Sequence, residues 1–167
     1  DSEDSKILNC VANAKKMLPQ CYRASGAQYA GKGDYDKAIT YLKKAADIAE
    51  LYGNGVEKQK ANMIIAKVYQ VQGGKAYNAK DYATAASVFE KGYAANPRNT
   101  EMALNYATSL RELGTYDAGM AIYNKISKMP AEKYAAAIAK AQSLKTLYTN
   151  NKVASMQQAG DFDGVIA

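Results

Sequence analysis

Cys10 and Cys21 are the only thiols in this 167-residue chain, and no histidine accompanies them. On one helix their spacing sets them roughly 16 Å apart, well beyond disulfide reach. Two thiols also fall short of a tetrahedral zinc site. The reading that remains is two small residues packed in a helix. Without imidazole the usual general base, proton shuttle and metal ligand are missing, and with them the common Ser and Cys triads. Asp34 and Asp36 are two nearby carboxylates, but they lie in a turn, where capping a helix explains them better than acid–base work. Gly73-Gly74 does not have the spacing of a phosphate-cradling loop and sits inside a helical pattern. These residues predict no enzyme, no metal site and no cofactor.

Charge narrows the partners. Twenty-two basic and sixteen acidic residues leave a formal charge of +6. The basic residues are densest at Lys15-Lys16 and Lys43-Lys44, and acids are interspersed elsewhere. Scattered lysines describe a solvated helical face, whereas nucleic acid asks for cations clustered on one surface. The charge supports a mild preference for acidic partners and no nucleic-acid role. No run approaches the ~18 apolar residues of a membrane span. Three prolines among abundant Ala, Lys and Gln favour helix throughout.

Those helices must be positioned, and a repeated punctuation shows how. Gly33-Asp34-Tyr35, Lys80-Asp81-Tyr82, Gly114-Thr115-Tyr116 and Gly160-Asp161-Phe162 share one pattern: a helix stop, a capping residue and an aromatic. A small residue follows the aromatic, as at Ala38 and Ala85. The glycine takes the left-handed backbone that ends a helix, the Asp or Thr caps the next one, and the aromatic wedges between the two. Successive motifs are 47, 34 and 46 residues apart. The excess over 34 in the outer intervals falls in proline-free, helix-compatible sequence. The first helices are therefore expected to be lengthened, over Val56–Ala79 and Ala131–Ala159. Within the second, Tyr134, Ile138, Ala141, Leu144 and Tyr148 form one apolar stripe. Gly73 and Gly74 are expected inside a helix, with Gly73 against a neighbouring backbone. Pro19 is expected to bend or break the first helix, about Ser5 to Gly31.

A 34-residue period is that of the tetratricopeptide repeat, and individual residues agree. The first unit has Tyr22, Ser25-Gly26 and Tyr29, then Ala38, Leu42 and Ala45. The second has Tyr69, Gly73 and Tyr77, then Ala85, Phe89, Gly92 and Pro97. The third has Ala103, Tyr106-Ala107 and Leu110, then Gly119, Tyr123 and Pro130. The chain resembles tetratricopeptide-repeat proteins over about residues 19–167, in the style of exported bacterial scaffolds. Ser25 and Gln72 stand where a leucine is usual. The resemblance implies an all-α, right-handed superhelix of antiparallel helix pairs. As one array its units would run 19–52, 66–99, 100–130 and an incomplete 146–167.

The resemblance further implies a concave groove lined by first helices, presenting Arg23, Lys67, Gln70, Tyr77, Leu104, Asn105, Thr108, Arg111 and Asn150 to a peptide or partner domain. Most of the fourteen tyrosines read as packing between helices, with Tyr77 the best candidate for a groove. The clamp that some relatives use for a C-terminal carboxylate would place its residues at Gln70, Gly74, Asn105, Leu147 and Asn151, and only Asn105 matches. A second function class is structural: self-association through the shortened edge at Gly160–Ala167, within an envelope complex. The start at Asp1 fits a removed leader or a trimmed chain, and with the family style it favours an exported or periplasmic protein.

Overall fold

The computed structural model describes residues 2–160. Seven helices and no strand occur among them: α1 Ser2–Gly31, α2 Tyr35–Leu51, α3 Gly55–Asn78, α4 Tyr82–Ala95, α5 Thr100–Glu112, α6 Tyr116–Ser127 and α7 Ala131–Ala159. The protein is an all-α helical repeat. Its chain forms two compact units, residues 1–72 and 73–167, the division falling inside α3.

The helix ends follow from the turn residues. Backbone N–H groups of Asp34, Asn54, Asp81 and Thr115 each reach the carbonyl five residues earlier, on Tyr29, Ala49, Ala76 and Leu110. This closure needs a left-handed residue just before the donor. Gly33, Gly53 and Gly114 supply it, but at the third of these turns Lys80 takes a φ of 61°. A lysine there carries a steric cost that glycine avoids. Asp34 and Asp81 accept hydrogen bonds from the backbone N–H groups of Lys37 and Thr84, as their positions predict. Thr115 does not cap; its hydroxyl instead donates to the Leu110 carbonyl at 2.8 Å. Of the fourth turn motif only Gly160 lies within the described residues, with a φ of 75°.

Three expectations need correction. Helix α1 runs unbroken through Pro19, whose ring is buried. Cys10 and Cys21 do share one helix but both are exposed, so packing does not explain them. Helix α7 has the expected ends yet is interrupted at Tyr134, with φ −122° and ψ 18°. The N–H groups of Lys133 and Tyr134 both turn back to the Pro130 carbonyl, which sets the first turn apart.

In residues 1–72, α2 lays Ala38, Leu42, Ala45 and Ala49 into the core. Helix α1 approaches closely at Gly26, where an added Cβ would stand 2.6 Å from Leu42 Cγ. Arg23 and Lys60 converge on Glu57, at 2.7 and 2.9 Å, and Glu57 is only 4% exposed. Burial alone would raise its pKa, but the hydrogen bonds from Arg23 and Lys60 outweigh that and hold it below 4.5.

In residues 73–167, Met102, Ala103, Leu104 and Ala107 of α5 are buried, with Tyr123 and Ile126 of α6 and Ala141 and Tyr148 of α7. The Tyr148 ring meets Tyr116 and Tyr123 edge-on at 5.2 and 5.8 Å, and its hydroxyl donates to the Thr115 carbonyl. Burial above all pushes the Tyr148 phenol up to about 12. These rings are packing elements. Of the stripe expected on α7, Ala141, Leu144 and Tyr148 pack into this core, with Ala137 beside them rather than Tyr134 and Ile138. Gly73 is helical as expected, but what it faces is the Phe89 ring and not a backbone: a Cβ would stand 2.7 Å from Phe89 Cε1.

The Glu57 cluster gives a pH-dependent prediction. A carboxylate with a lowered folded pKa contributes stability that is complete above its unfolded value and lost as pH falls through the folded one. Glu57→Gln should cost about 1.5–3 kcal/mol at neutral pH. It should also reduce the loss of stability on acidification. Urea unfolding of both proteins at neutral and acid pH measures this.

Candidate peptide-binding groove

Four of the nine residues expected on a groove line one recess in residues 73–167. Tyr77 comes from α3, and Leu104, Asn105 and Thr108 from α5. The two helices bring them together because Leu104 and Thr108 are one turn apart on the same face, and Tyr77 sits one turn beyond Gly73. The recess has a volume of about 370 Å³ and is completed by Gly74, Asn78, Phe89, Lys140 and Leu144. Its floor is apolar, from Phe89, Leu104 and Leu144. Its wall carries the amides of Asn78 and Asn105, the Thr108 and Tyr77 hydroxyls and the Lys140 ammonium. Among the described residues no carboxylate is in its lining, although Glu112 interacts with the Tyr77 side chain.

The two adjacent glycines differ sharply. Gly73 has no room for a side chain, because Phe89 fills that space. Gly74 meets nothing within 4 Å of an added Cβ, so it contributes open volume. Thr108 is held in place: its Oγ1 donates to the Leu104 carbonyl at 2.8 Å and lies 3.3 Å from the Tyr123 hydroxyl. Tyr77 packs edge-on against Tyr82 at 5.2 Å. Burial first, and then the Glu112 carboxylate, raise its pKa, so its hydroxyl stays a protonated donor at neutral pH.

Arg111 lies one turn beyond Thr108 on α5. Its Nη2 pairs with Glu112, while Nε and Nη1 are buried without a hydrogen-bond partner. Burial opposes its charge, but the Glu112 contact outweighs this and raises its pKa. The remaining candidates are not among the lining residues. Arg23 is engaged with Glu57. Lys67 and Asn150 are exposed, and Gln70 is half-buried.

Gly74, Asn78, Phe89, Lys140 and Leu144 were not among the sequence candidates for the groove. Phe89 and Leu144 read as ordinary packing residues, and here they pack and floor the recess at once. Asn78 follows Gly74 by one helical turn, a signal that was available. Lys140 and Leu144 are also one turn apart, a signal that the apolar stripe of α7 outweighs.

The sequence model of the tetratricopeptide repeat matches residues 76–143, the stretch that holds most of this recess. Over that stretch the chain has the sequence of a tetratricopeptide repeat. Among solved structures it is similar to MamA from AMB-1, at 16% identity and a TM-score of 0.38, with 90% of this chain and 87% of that one covered. For MamA from MSR-1 the values are 16%, 0.39, 89% and 91%. No curated protein matches. Tetratricopeptide repeats are, as a class, modules that bind protein partners. Among the described residues no cluster of His, Cys, Asp and Glu could hold a metal ion. No helix among them is long and apolar enough to cross a membrane.

The contrast between the glycines is testable. Gly74→Ala should raise stability by about 0.4–1 kcal/mol, since a helical glycine is replaced where space is free. The same methyl group enters the recess, so any ligand of this site should bind more weakly. Thermal unfolding measures the first effect, and a loss of stability would show that the space is not free.

Proposed function

We propose that residues 73–167 bind a partner peptide in this recess, with Tyr77, Leu104, Asn105, Thr108 and Lys140 as the contacting residues. The carrying observation is the convergence of four sequence-selected residues on one concavity with an apolar floor and a polar wall. Its volume suits one or two side chains of a peptide better than a flat domain surface. The floor takes an apolar anchor. The Asn78 and Asn105 amides are placed to hydrogen-bond a peptide backbone, since each offers both a donor and an acceptor. Lys140 in the lining favours an acidic residue beside the anchor, at the end of the recess away from Glu112.

In this reading the chain works by binding and not by catalysis, and its repeats form one array. The register of the units is supported by a recurring couple. Gly26 and Leu42, Gly73 and Phe89, and Ala107 and Tyr123 are each sixteen residues apart, a small residue on a first helix and a large one on the second. Arg23 has a structural task at Glu57 in place of a binding one.

Peptides selected against the purified chain by display, and then titrated calorimetrically, test the proposal. Asn105→Ala and Lys140→Glu should each weaken binding about tenfold, or about 1.4 kcal/mol, with unchanged helicity. Selected peptides that bind both variants as tightly as the wild type would place the site elsewhere and overturn this assignment.

A further inference from the structure

Among the described residues, Nε and Nη1 of Arg111 are the buried side-chain polar atoms that make no hydrogen bond. The Arg111 side chain is only 12% exposed, and a buried cation with open donors is unfavourable. Its partner is the carboxylate of Glu112, which meets Nη2. Adjacent residues on a helix do not face each other, and this contact engages one nitrogen instead of the guanidinium fork. Glu112 is also poorly placed as a permanent partner. It is the last residue of α5, where the helix dipole disfavours negative charge, and its side chain is 30% exposed. The same carboxylate interacts with the Tyr77 side chain. Arg111 thus stands behind the wall that Tyr77 and Thr108 give the recess.

We infer that Glu112 holds the place of a ligand carboxylate, which replaces it on Arg111 and Tyr77 when a peptide binds. This inference rests on the reading of the recess as a peptide site, and it adds a carboxylate contact besides that of Lys140. Departure of Glu112 into water uncovers Nη2. A carboxylate not tethered to the next residue can then lie in the plane of the guanidinium and accept from two nitrogens at once. The Tyr77 hydroxyl, protonated at neutral pH, donates to the same group. Arg111 and Glu112 therefore act on binding in opposite directions. A pair that only braced the end of α5 would not, since loss of either member would then act alike.

Calorimetric titration of display-selected peptides into Arg111→Gln and Glu112→Gln tests the exchange. Arg111→Gln should weaken binding about tenfold, and Glu112→Gln, which removes the competitor, should tighten it about tenfold. Peptides with each acidic residue in turn replaced by its amide, and one with an amidated C-terminus, identify the carboxylate. The change that weakens binding to the wild type but not to Arg111→Gln marks it as a side-chain or C-terminal group. Binding to Glu112→Gln no tighter than to the wild type overturns the exchange, as does the lack of any acid-to-amide change coupled to Arg111. If Asn105→Ala and Lys140→Glu still weaken the same peptides, the groove reading survives that failure; if they do not, both fall.

Discussion

Leu42, Phe89 and Tyr148 each press on a neighbouring helix at a glycine where a methyl group does not fit. An added Cβ would stand 2.6, 2.7 and 3.0 Å from these side chains, at Gly26, Gly73 and Gly119 respectively. Real Cβ contacts do not come so close without displacement of the neighbour, and such a contact fixes how near two helices lie and how they are turned. At the corresponding place on α5, Ala107 is fully buried, in one core cluster with Tyr123. A solenoid repeat cannot bury its apolar stripes alone, so the spacing these couples set is what the rest of the core is built on.

The groove depends on the same contact. Phe89 fills the space over Gly73, and its ring then becomes part of the recess floor beside Leu104 and Leu144. Gly74, one residue on, lines the recess and has open space where a side chain would stand. One glycine draws two helices together and the next leaves the recess open. Thr108 and Tyr77 complete the arrangement because each is fixed by a neighbour, Thr108 near Tyr123 and Tyr77 against Tyr82. A binding wall made of held side chains loses less entropy when a ligand arrives than a flexible one.

Much of this was legible in the residues. The turn motifs place helix ends to within about a residue or two for most elements, because glycine, aspartate and proline act locally. Tyr77, Leu104, Asn105 and Thr108 could be expected to share a concavity because a repeat carries its facing with its period, and the four do line one recess. What the sequence hid was set by tertiary contact. Proline breaks an isolated helix, yet α1 continues through Pro19, whose ring is buried in the core. Threonine can cap by accepting a backbone N–H, but the Thr115 hydroxyl makes no such bond and donates to the Leu110 carbonyl. Lys140 escaped notice because α7 reads by its apolar stripe, although Lys140 stands one turn before Leu144. Arg23 was placed on the groove by its repeat position, whereas the buried Glu57 claims it, and no local pattern announces a partner 34 residues away.

A double-mutant cycle at Gly73 and Phe89 tests the contact on which the account rests. Stability would be measured by urea unfolding for Gly73→Ala, Phe89→Ala and the pair. In the presence of Phe89, the alanine methyl should clash and cost about 1–3 kcal/mol. With the ring removed, the same methyl has space, and replacing a helical glycine should then stabilise by up to about 1 kcal/mol. The two effects should therefore have opposite sign and a large coupling energy. A Gly73→Ala effect of equal size and sign in both backgrounds would contradict the claim that Phe89 on Gly73 sets the helix spacing.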